Sequence, residues 1–206
     1  AIPSLLEVVA RNNNFSNENV RLFEVASVYH PNADETQLPE EKKVLTVGAY
    51  GNVDFYAIKG AIENVLDLAR VSGVSYVSYS EDATYHSGRC AKVVAQDGTE
   101  LAVFGQLHPL TAANYGLDVP VYLAAIDFDA LYDHRGGEIE YKPLPKFPAT
   151  TRDFSFVVDE AVEVGTLIAT MTRAGGKLVE DVALFDIYRG PQVGEGKKSV
   201  SLRVML

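Results

Sequence analysis

The C-terminal stretch of the chain, residues 146–206, reads KFPATTRDFSFVVDEAVEVGTLIATMTRAGGKLVEDVALFDIYRGPQVGEGKKSVSLRVML. Alternating apolar residues predict three strands, over residues 153–159, 178–188 and 199–206. Apolar residues at helical spacing predict one helix over residues 163–174, which Gly175 and Gly176 end. The order strand, helix, strand, strand is that of an incomplete ferredoxin-like βαββ unit.

Strict alternation also predicts which side chains of this unit share a face. We expect Val182, Leu184 and Asp186 on one face of the second strand, and Val200 and Leu202 in phase in the third. A full unit carries one more helix and one more strand, so we expect a truncated domain. The missing strand would pair with the first one, whose edge should then be open to another chain.

Working outward, residues 1–137 predict a mainly antiparallel sheet with helices packed against one face, which makes the whole chain α+β. The predicted helices cover residues 3–11, 55–70 and 109–115, and the predicted strands cover residues 20–30, 44–50, 74–80, 91–95, 100–107 and 121–128. Asp54 is the expected N-cap of the second helix and Gly73 its end. We expect strand 20–30 to be central, and residues 133–137 to form the linker between two domains, 1–137 and 138–206.

Composition and charge exclude several classes of protein. The 206 residues are 47% hydrophobic, enough for a real core, and no apolar run reaches membrane-span length. The single cysteine, Cys90, excludes an internal disulfide and a thiolate zinc cluster. Residues 1–140 hold 9 Lys+Arg against 20 Asp+Glu, whereas residues 141–206 hold 9 against 8. Only the C-terminal part is therefore suited to face RNA.

Separated motifs in a fixed order resemble one known family. They are Lys146-Phe147-Pro148, Arg152-Asp153, Gly175-Gly176, the run FDIYRG at 185–190 and the run GKKS at 196–199. Together they resemble the anticodon-binding domain of the bacterial phenylalanyl-tRNA synthetase beta chain. The runs PSLLEVVARN, VRLFEVASVY, DFYAIKGAIENVL, HSGRCAKV, GQLHP and VYLAAIDFDAL resemble the catalytic-like module of the same chain. Ser87, Cys90 and Gln106 depart from the family pattern at positions that are not catalytic in the family.

The resemblance implies a C-terminal fragment of a cytoplasmic enzyme that joins phenylalanine to tRNA(Phe) with ATP and magnesium. It implies a class II synthetase-like sheet in the first domain and a heterotetramer of two alpha and two beta chains. ATP and magnesium are then expected on the alpha subunit, the editing domain upstream, and no catalytic or metal residue in this fragment.

The candidates for RNA contact are cations on the turns of the small domain, with one tyrosine that can stack on an unpaired base. They are Lys146, Arg152, Arg173, Lys177, Tyr188, Arg189, Lys197 and Lys198. A solvated basic rim accounts for the cations equally well by sequence alone, and the resemblance favours RNA.

Other motifs point to weaker hypotheses. The run GEGKKS lacks the spacing of a phosphate-binding loop and precedes a strand instead of a helix. His86 next to Ser87 lacks a specified orienting acid, so we expect a turn there that Arg89 stabilises. Arg152 and Asp153 are interpreted as an ion pair at a strand start. Two alternatives stay open: a stand-alone noncatalytic RNA- or protein-interaction module, and an enzyme using His86 or the acids near Asp153.

Overall fold

A computed structural model of the protein describes residues 1–34, 36–139, 141 and 148–206 and separates the chain into two units. Unit 1 is Ala1–Ile139 and unit 2 is Glu140–Leu206. The functional division at residue 137 stays a prediction. In the described ranges, no helix is both long and apolar enough to cross a bilayer.

Both units contain helices and strands among their described residues. Those of unit 1 are α1 (Ile2–Asn14), β1 (Val20–His30), β2 (Glu40–Tyr50), α2 (Phe55–Ala69), β3 (Ser75–Ser78), β4 (Tyr85–Val94), β5 (Glu100–Leu107), α3 (Pro109–Asn114), β6 (Val121–Asp127) and α4 (Phe128–Asp133). Those of unit 2 are β7 (Thr151–Asp159), α5 (Val164–Gly175), a 3-10 turn (Gly176–Leu178), β8 (Asp181–Tyr188) and β9 (Lys197–Met205). The predicted α+β class is confirmed.

The sheet of unit 1 is antiparallel throughout its described pairs, in the order β1-β2-β6-β5-β4-β3. The prediction that residues 20–30 form a central strand is wrong, because β1 lies at the edge. Its even-numbered residue Leu22 packs toward α1, while Phe23 on the opposite face is 76% exposed. Apolar residues on both faces of β1 therefore do not indicate a central strand, since β2 is its one described neighbour.

Helices cover both faces of this sheet, so the prediction of helices on one face is also wrong. On one face α2 and α4 pack on a core around Phe104, whose ring stacks on Phe55 at 5.1 Å between centroids. On the other face α1 and α3 pack on a core that contains Leu5, Tyr50 and Leu123. Burial of two separate apolar layers stabilises unit 1 from both sides.

The ends of α2 show one confirmed and one wrong prediction. Asp54 is the N-cap, and its carboxylate accepts a hydrogen bond of 2.8 Å from the backbone N–H of Ala57. The helix ends at Ala69 and not at Gly73, because Arg70 takes the left-handed conformation with φ of 57°.

The segment 86–89 is part of β4 and not the predicted turn. The pairing of β4 with β5 shifts in register between Tyr85 and Cys90, which is a bulge. Arg89 donates a hydrogen bond of 2.6 Å from Nη1 to Gln106 Oε1 on β5. Arg89 therefore ties the bulged strand to its neighbour.

The residues between β6 and the linker form a short helix that the sequence analysis missed. Asp127 ends β6 and caps α4, accepting a hydrogen bond of 2.9 Å from the N–H of Ala130. At the end of α4, His134 Nδ1 lies 2.8 Å from Ala130 O and Nε2 lies 3.1 Å from Asp97 Oδ2. The carbonyl of Ala130 and the carboxylate of Asp97 raise the pKa of His134.

We expect the His134–Asp97 contact to weaken as the pH rises. Only the imidazolium donates from both ring nitrogens, so the contact is fully formed below the ordinary histidine pKa of about 6.5. Its stabilisation is lost as the pH rises through the raised pKa of the folded protein. Titration of the His134 ring by NMR should show a lower pKa in Asp97→Asn and no change in the control Asp118→Asn. An unchanged His134 pKa in Asp97→Asn would contradict the assignment.

Unit 2 is a three-stranded antiparallel sheet in the order β7-β9-β8 with α5 on one face. Val200, Leu202 and Val204 of the central strand β9 are buried under α5, as the alternation predicted. The strand predicted from residue 178 begins at Asp181, after the 3-10 turn. In the described residues the outer edge of β7 has no neighbouring strand.

Candidate nucleic-acid interface

One face of the unit 2 sheet is not covered by α5, and we call it the open face. The register pairs Ser155 with Ser201 and Asp153 with Arg203, which alternate with Val200, Leu202 and Val204, the β9 residues that pack under α5. The open face consists of Asp153, Ser155, Val157 and Asp159 of β7, Lys197, Ser199, Ser201 and Arg203 of β9, and Ala183, Phe185, Asp186 and Tyr188 of β8.

A bulge in β8 rearranges the side chains that strict alternation predicted. The register shifts between Leu184 and Asp186, so Leu184 pairs with Leu202 while Asp186 pairs with Ser201. The prediction that Asp186 shares a face with Leu184 is therefore wrong. The bulged residue, Phe185, is half exposed and lies under the guanidinium of Arg203, 5.2 Å from its ring centroid.

Tyr188 lies at the end of β8, opposite Ser199, and its side chain is 41% exposed. Gly190 follows two residues later in the sequence. A Cβ at Gly190 would lie 2.6 Å from Cζ of Tyr188, so the hydroxyl end of the ring lies close to the Gly190 backbone. Its exposed surface leaves this ring accessible to an unpaired base.

Arg203 is the residue of the open face that the sequence analysis missed. It binds Asp153 with two hydrogen bonds of 2.8 Å, from Nε to Oδ1 and from Nη2 to Oδ2. The pair lowers the pKa of Asp153 and raises the pKa of Arg203. The interpretation of Arg152 and Asp153 as an ion pair is wrong, since neighbouring residues in a strand point to opposite faces. The sequence signal that could have placed Arg203 on the open face is its position between Leu202 and Val204, since alternation in a strand puts it on the face opposite these two core residues.

Two of the candidate cations bind to one glutamate at the edge of the open face. Arg189 donates to both carboxylate oxygens of Glu160, with Nη2 2.7 Å from Oε1, and lowers the pKa of Glu160. Lys198 is buried, and its Nζ donates a hydrogen bond of 2.7 Å to the backbone carbonyl of Glu160. Arg189, in the loop after β8, and Lys198, in β9, therefore both contact the residue that follows β7.

The structure places the remaining candidates in two separate groups. Lys197 lies at the start of β9, opposite Asp159 and close in sequence to Tyr188's partner Ser199. Arg152 lies at the other end of β7, seven residues from Asp159, or roughly 23 Å along the strand. Arg173 and Lys177, at the end of α5 and in the 3-10 turn, approach that second end because β8 starts there. Lys146 lies outside the described residues.

The other motifs show no constellation for chemistry in the described part of the chain. His86 Nδ1 accepts a hydrogen bond of 3.1 Å from the N–H of Gly88, and no described carboxylate hydrogen-bonds to this ring. The described ranges contain no group of three or more His, Cys, Asp and Glu side chains that could hold a metal ion. Gly194 and Gly196, both at positive φ, form the turn that leads into strand β9.

The open face has the groups that single-stranded RNA recognition uses. Tyr188 and Phe185 on β8 offer aromatic surface for stacking. Ser199, opposite Tyr188 on the central strand β9, offers a hydroxyl. The carboxylate of Asp186 can accept hydrogen bonds from base amino groups. Lys197 at the rim offers a cation to phosphate.

Comparison with known proteins follows the same division of the chain. Residues 1–128 match the family described as the phenylalanyl tRNA synthetase beta chain CLM domain, and residues 145–206 match the ferredoxin-fold anticodon binding domain. The phenylalanine–tRNA ligase beta subunit of Clostridium acetobutylicum is 42% identical over 96% of this chain and 25% of the relative. That of Clostridium tetani is 40% identical over 99% of this chain and 26% of the relative. The chain thus spans about a quarter of the length of these relatives.

Solved structures agree at the level of the fold. A pyrrolysyl tRNA synthetase from Desulfitobacterium hafniense superposes with a TM-score of 0.52 at 16% sequence identity. The match covers 63% of this chain and 46% of that one. This likeness shows a synthetase-like fold and carries no statement about substrate.

Proposed function

The chain belongs to the phenylalanyl-tRNA synthetase beta-chain family, and we propose that it supports aminoacylation of tRNA(Phe) without catalysing a step itself. Family membership confirms the resemblance inferred from the motifs, and a stand-alone interaction module is not favoured. In this proposal unit 2 binds the tRNA through its open face. Unit 1 supports association with the alpha subunit, in a cytoplasmic heterotetramer of two alpha and two beta chains.

We place ATP and magnesium on the alpha subunit, as the family resemblance implies for the whole enzyme. The described residues offer no group of three or more His, Cys, Asp and Glu side chains for a metal, and the groove of about 750 Å³ in unit 1 is lined mainly by apolar residues. The residues of this chain contribute binding, and no step of the chemistry is assigned to them.

The arrangement of Tyr188 is the observation that carries the RNA-binding proposal. A half-exposed aromatic ring, with its hydroxyl end close to Gly190, lies at the end of the sheet face that α5 does not cover. Base stacking on such a ring contributes about 1–3 kcal/mol per base. Arg189 and Lys198 support this ring's end of the sheet through Glu160. Lys197, at the same end of the open face as Tyr188, offers a cation to the phosphate backbone. Arg152 pairs with Val204 and lies on the other face, at the far end of β7.

We expect Tyr188→Ala to weaken tRNA(Phe) binding by roughly tenfold, since about 1.4 kcal/mol of stacking corresponds to that factor. Fluorescence anisotropy with labelled tRNA(Phe) at fixed ionic strength measures the effect. Tyr29→Ala is the matched control, because Tyr29 is an exposed tyrosine of β1 in unit 1. Equal losses in the two variants would overturn the assignment of the open face.

A salt titration separates stacking from phosphate contact. Lys197→Ala should make the negative slope of log K against log salt shallower by about one unit, while Tyr188→Ala leaves the slope unchanged.

Co-purification with the alpha subunit tests the assembly role that the proposal gives to unit 1. Failure of the whole beta chain to co-purify with the alpha subunit would contradict the assembly role.

A further inference from the structure

Unit 1 has an apolar groove between helix α2 and strands β1 and β2, at one edge of its sheet. A cavity of about 750 Å³ lies between β1, β2 and α2, and a second of about 370 Å³ shares Leu45 and Val65 with it. We call the two together the trough. Its lining residues from β1 and β2 include Phe23, Val25, Leu45 and Val47, and those from α2 and α4 include Tyr56, Gly60, Val65, Leu68, Leu131 and Tyr132.

Large apolar side chains stand exposed along the trough. Phe23 is 76% exposed, Tyr56 74% and Leu68 86%. Single exposed apolar residues are ordinary, but a contiguous set along one groove is typical of a protein interface.

The floor formed by α2 has the shape of a helix-packing surface. Ala57, Gly60, Ala61 and Asn64 line the trough at spacings of three and four residues, which places them in one row of the helix. A Cβ at Gly60 would have no atom within 4 Å. Small residues in such a row let a second helix approach closely.

The charges at the trough differ from those of the rest of unit 1. Arg21 lines one end, and Arg70 and Arg135 line the other. Among the described residues, the lining of the two cavities includes no Asp or Glu, although residues 1–140 hold 20 acidic residues against 9 basic ones. Arg21 and Arg135 also bind backbone carbonyls, of Asn52 and Tyr132, which fixes where their charges lie. This surface is complementary to an apolar segment that carries carboxylates at its ends.

The length of the trough selects a helix over a small ligand. Its α2 side includes Ala57 and Ala69, which are twelve helical rises and so roughly 18 Å apart. About three turns of a second helix match this length, whereas a small amphiphile would fill one cavity only.

We propose that the trough binds an amphipathic α-helix of a partner protein, about three turns long, apolar on one face and acidic at both ends. Bound in this way, the helix would cover Phe23, Tyr56 and Leu68 and place carboxylates near Arg21 and Arg135. This site lies in unit 1 and is independent of RNA binding by unit 2.

The probe is a fluorescein-labelled helical peptide of ~12 residues, with leucines along one face and glutamates at both ends. Its twin carries lysines at both ends. Anisotropy should show at least tenfold tighter binding of the acidic peptide. Arg21→Glu combined with Arg135→Glu should reverse this preference. Gly60→Leu should abolish binding of both peptides by filling the trough, and it should fold normally, because leucine favours a helix more than glycine does.

Gly165→Leu is the matched control, since Gly165 lies in α5 of unit 2 and also has open space at its Cβ. Equal affinity of the twin peptides, or unchanged binding in Gly60→Leu, would overturn the proposal. So would the absence of binding at about 100 µM peptide. A wild-type dimer in sedimentation that Gly60→Leu converts to a monomer would assign the trough to a second copy and overturn the partner helix. If a short-chain fatty acid saturates the trough and the two peptides bind with equal affinity, the trough would be a site for a small amphiphile. This outcome would also overturn the partner helix.

Discussion

Leu202→Ala is expected to unfold unit 2 while unit 1 stays folded. Leu202 is fully buried in the central strand β9, between Phe154 on β7 and Leu184 on β8. Replacing a buried leucine by alanine costs about 2–5 kcal/mol, through lost burial and the cavity left behind. A domain of this size has only a few kcal/mol of stability in total, so the loss is expected to approach all of it.

Hydrogen exchange followed by mass spectrometry measures the two units separately. Amides of β7, β8 and β9 should lose protection in Leu202→Ala, and amides of β2, β5 and β6 should keep it. Leu178→Ala serves as the control, because Leu178 is 76% exposed and its loss should change stability by less than about 0.5 kcal/mol. Loss of protection in both units at once, or in neither, would contradict the prediction. Binding of tRNA(Phe) should fall with unit 2 protection, since the open face exists only in the folded sheet.

Gly105→Ala is expected to open the β4–β5 pairing of unit 1. Gly105 lies opposite Cys90 at the bulge of β4. A Cβ there would lie 2.8 Å from Cα of Cys90 and closer still to the carbonyl oxygen of Arg89. These are backbone atoms of a paired strand, so they cannot rotate away as a side chain would. Overpacking of this kind costs roughly 1–3 kcal/mol.

Cys90 reports directly on this opening because it is the only cysteine of the chain. It is buried, and burial together with Asp82 and Glu100 raises the pKa of its thiol to about 11. A thiol reagent should therefore react slowly with the folded wild type, since the thiolate is the reactive form. The reaction should be at least tenfold faster in Gly105→Ala, because about 1.4 kcal/mol of easier opening gives that factor.

Gly88→Ala is the matched control in the same strand. A Cβ at Gly88 would meet His86 Cε1 at 3.6 Å, which is ordinary contact. The thiol of this variant should react as slowly as that of the wild type. An equally slow reaction in Gly105→Ala would show that β4 can move to admit a methyl group.

Local patterns in the sequence determined the elements of unit 2 and the face that they bury. Alternation marked Val200 and Leu202 as core, and the paired glycines marked the end of α5. The ordered motifs were enough to assign the family, since each run reflects a short segment with its own turn or strand.

The tertiary structure decided which residues meet. Asp153 and Arg203 are 50 residues apart in sequence and yet form a bidentate pair, so no local pattern could join them. The bulge at Phe185 turns Asp186 onto the open face, and the place of β1 at the sheet edge exposes Phe23. Side-chain alternation is a property of one strand, whereas register, bulges and strand order depend on contacts between distant strands.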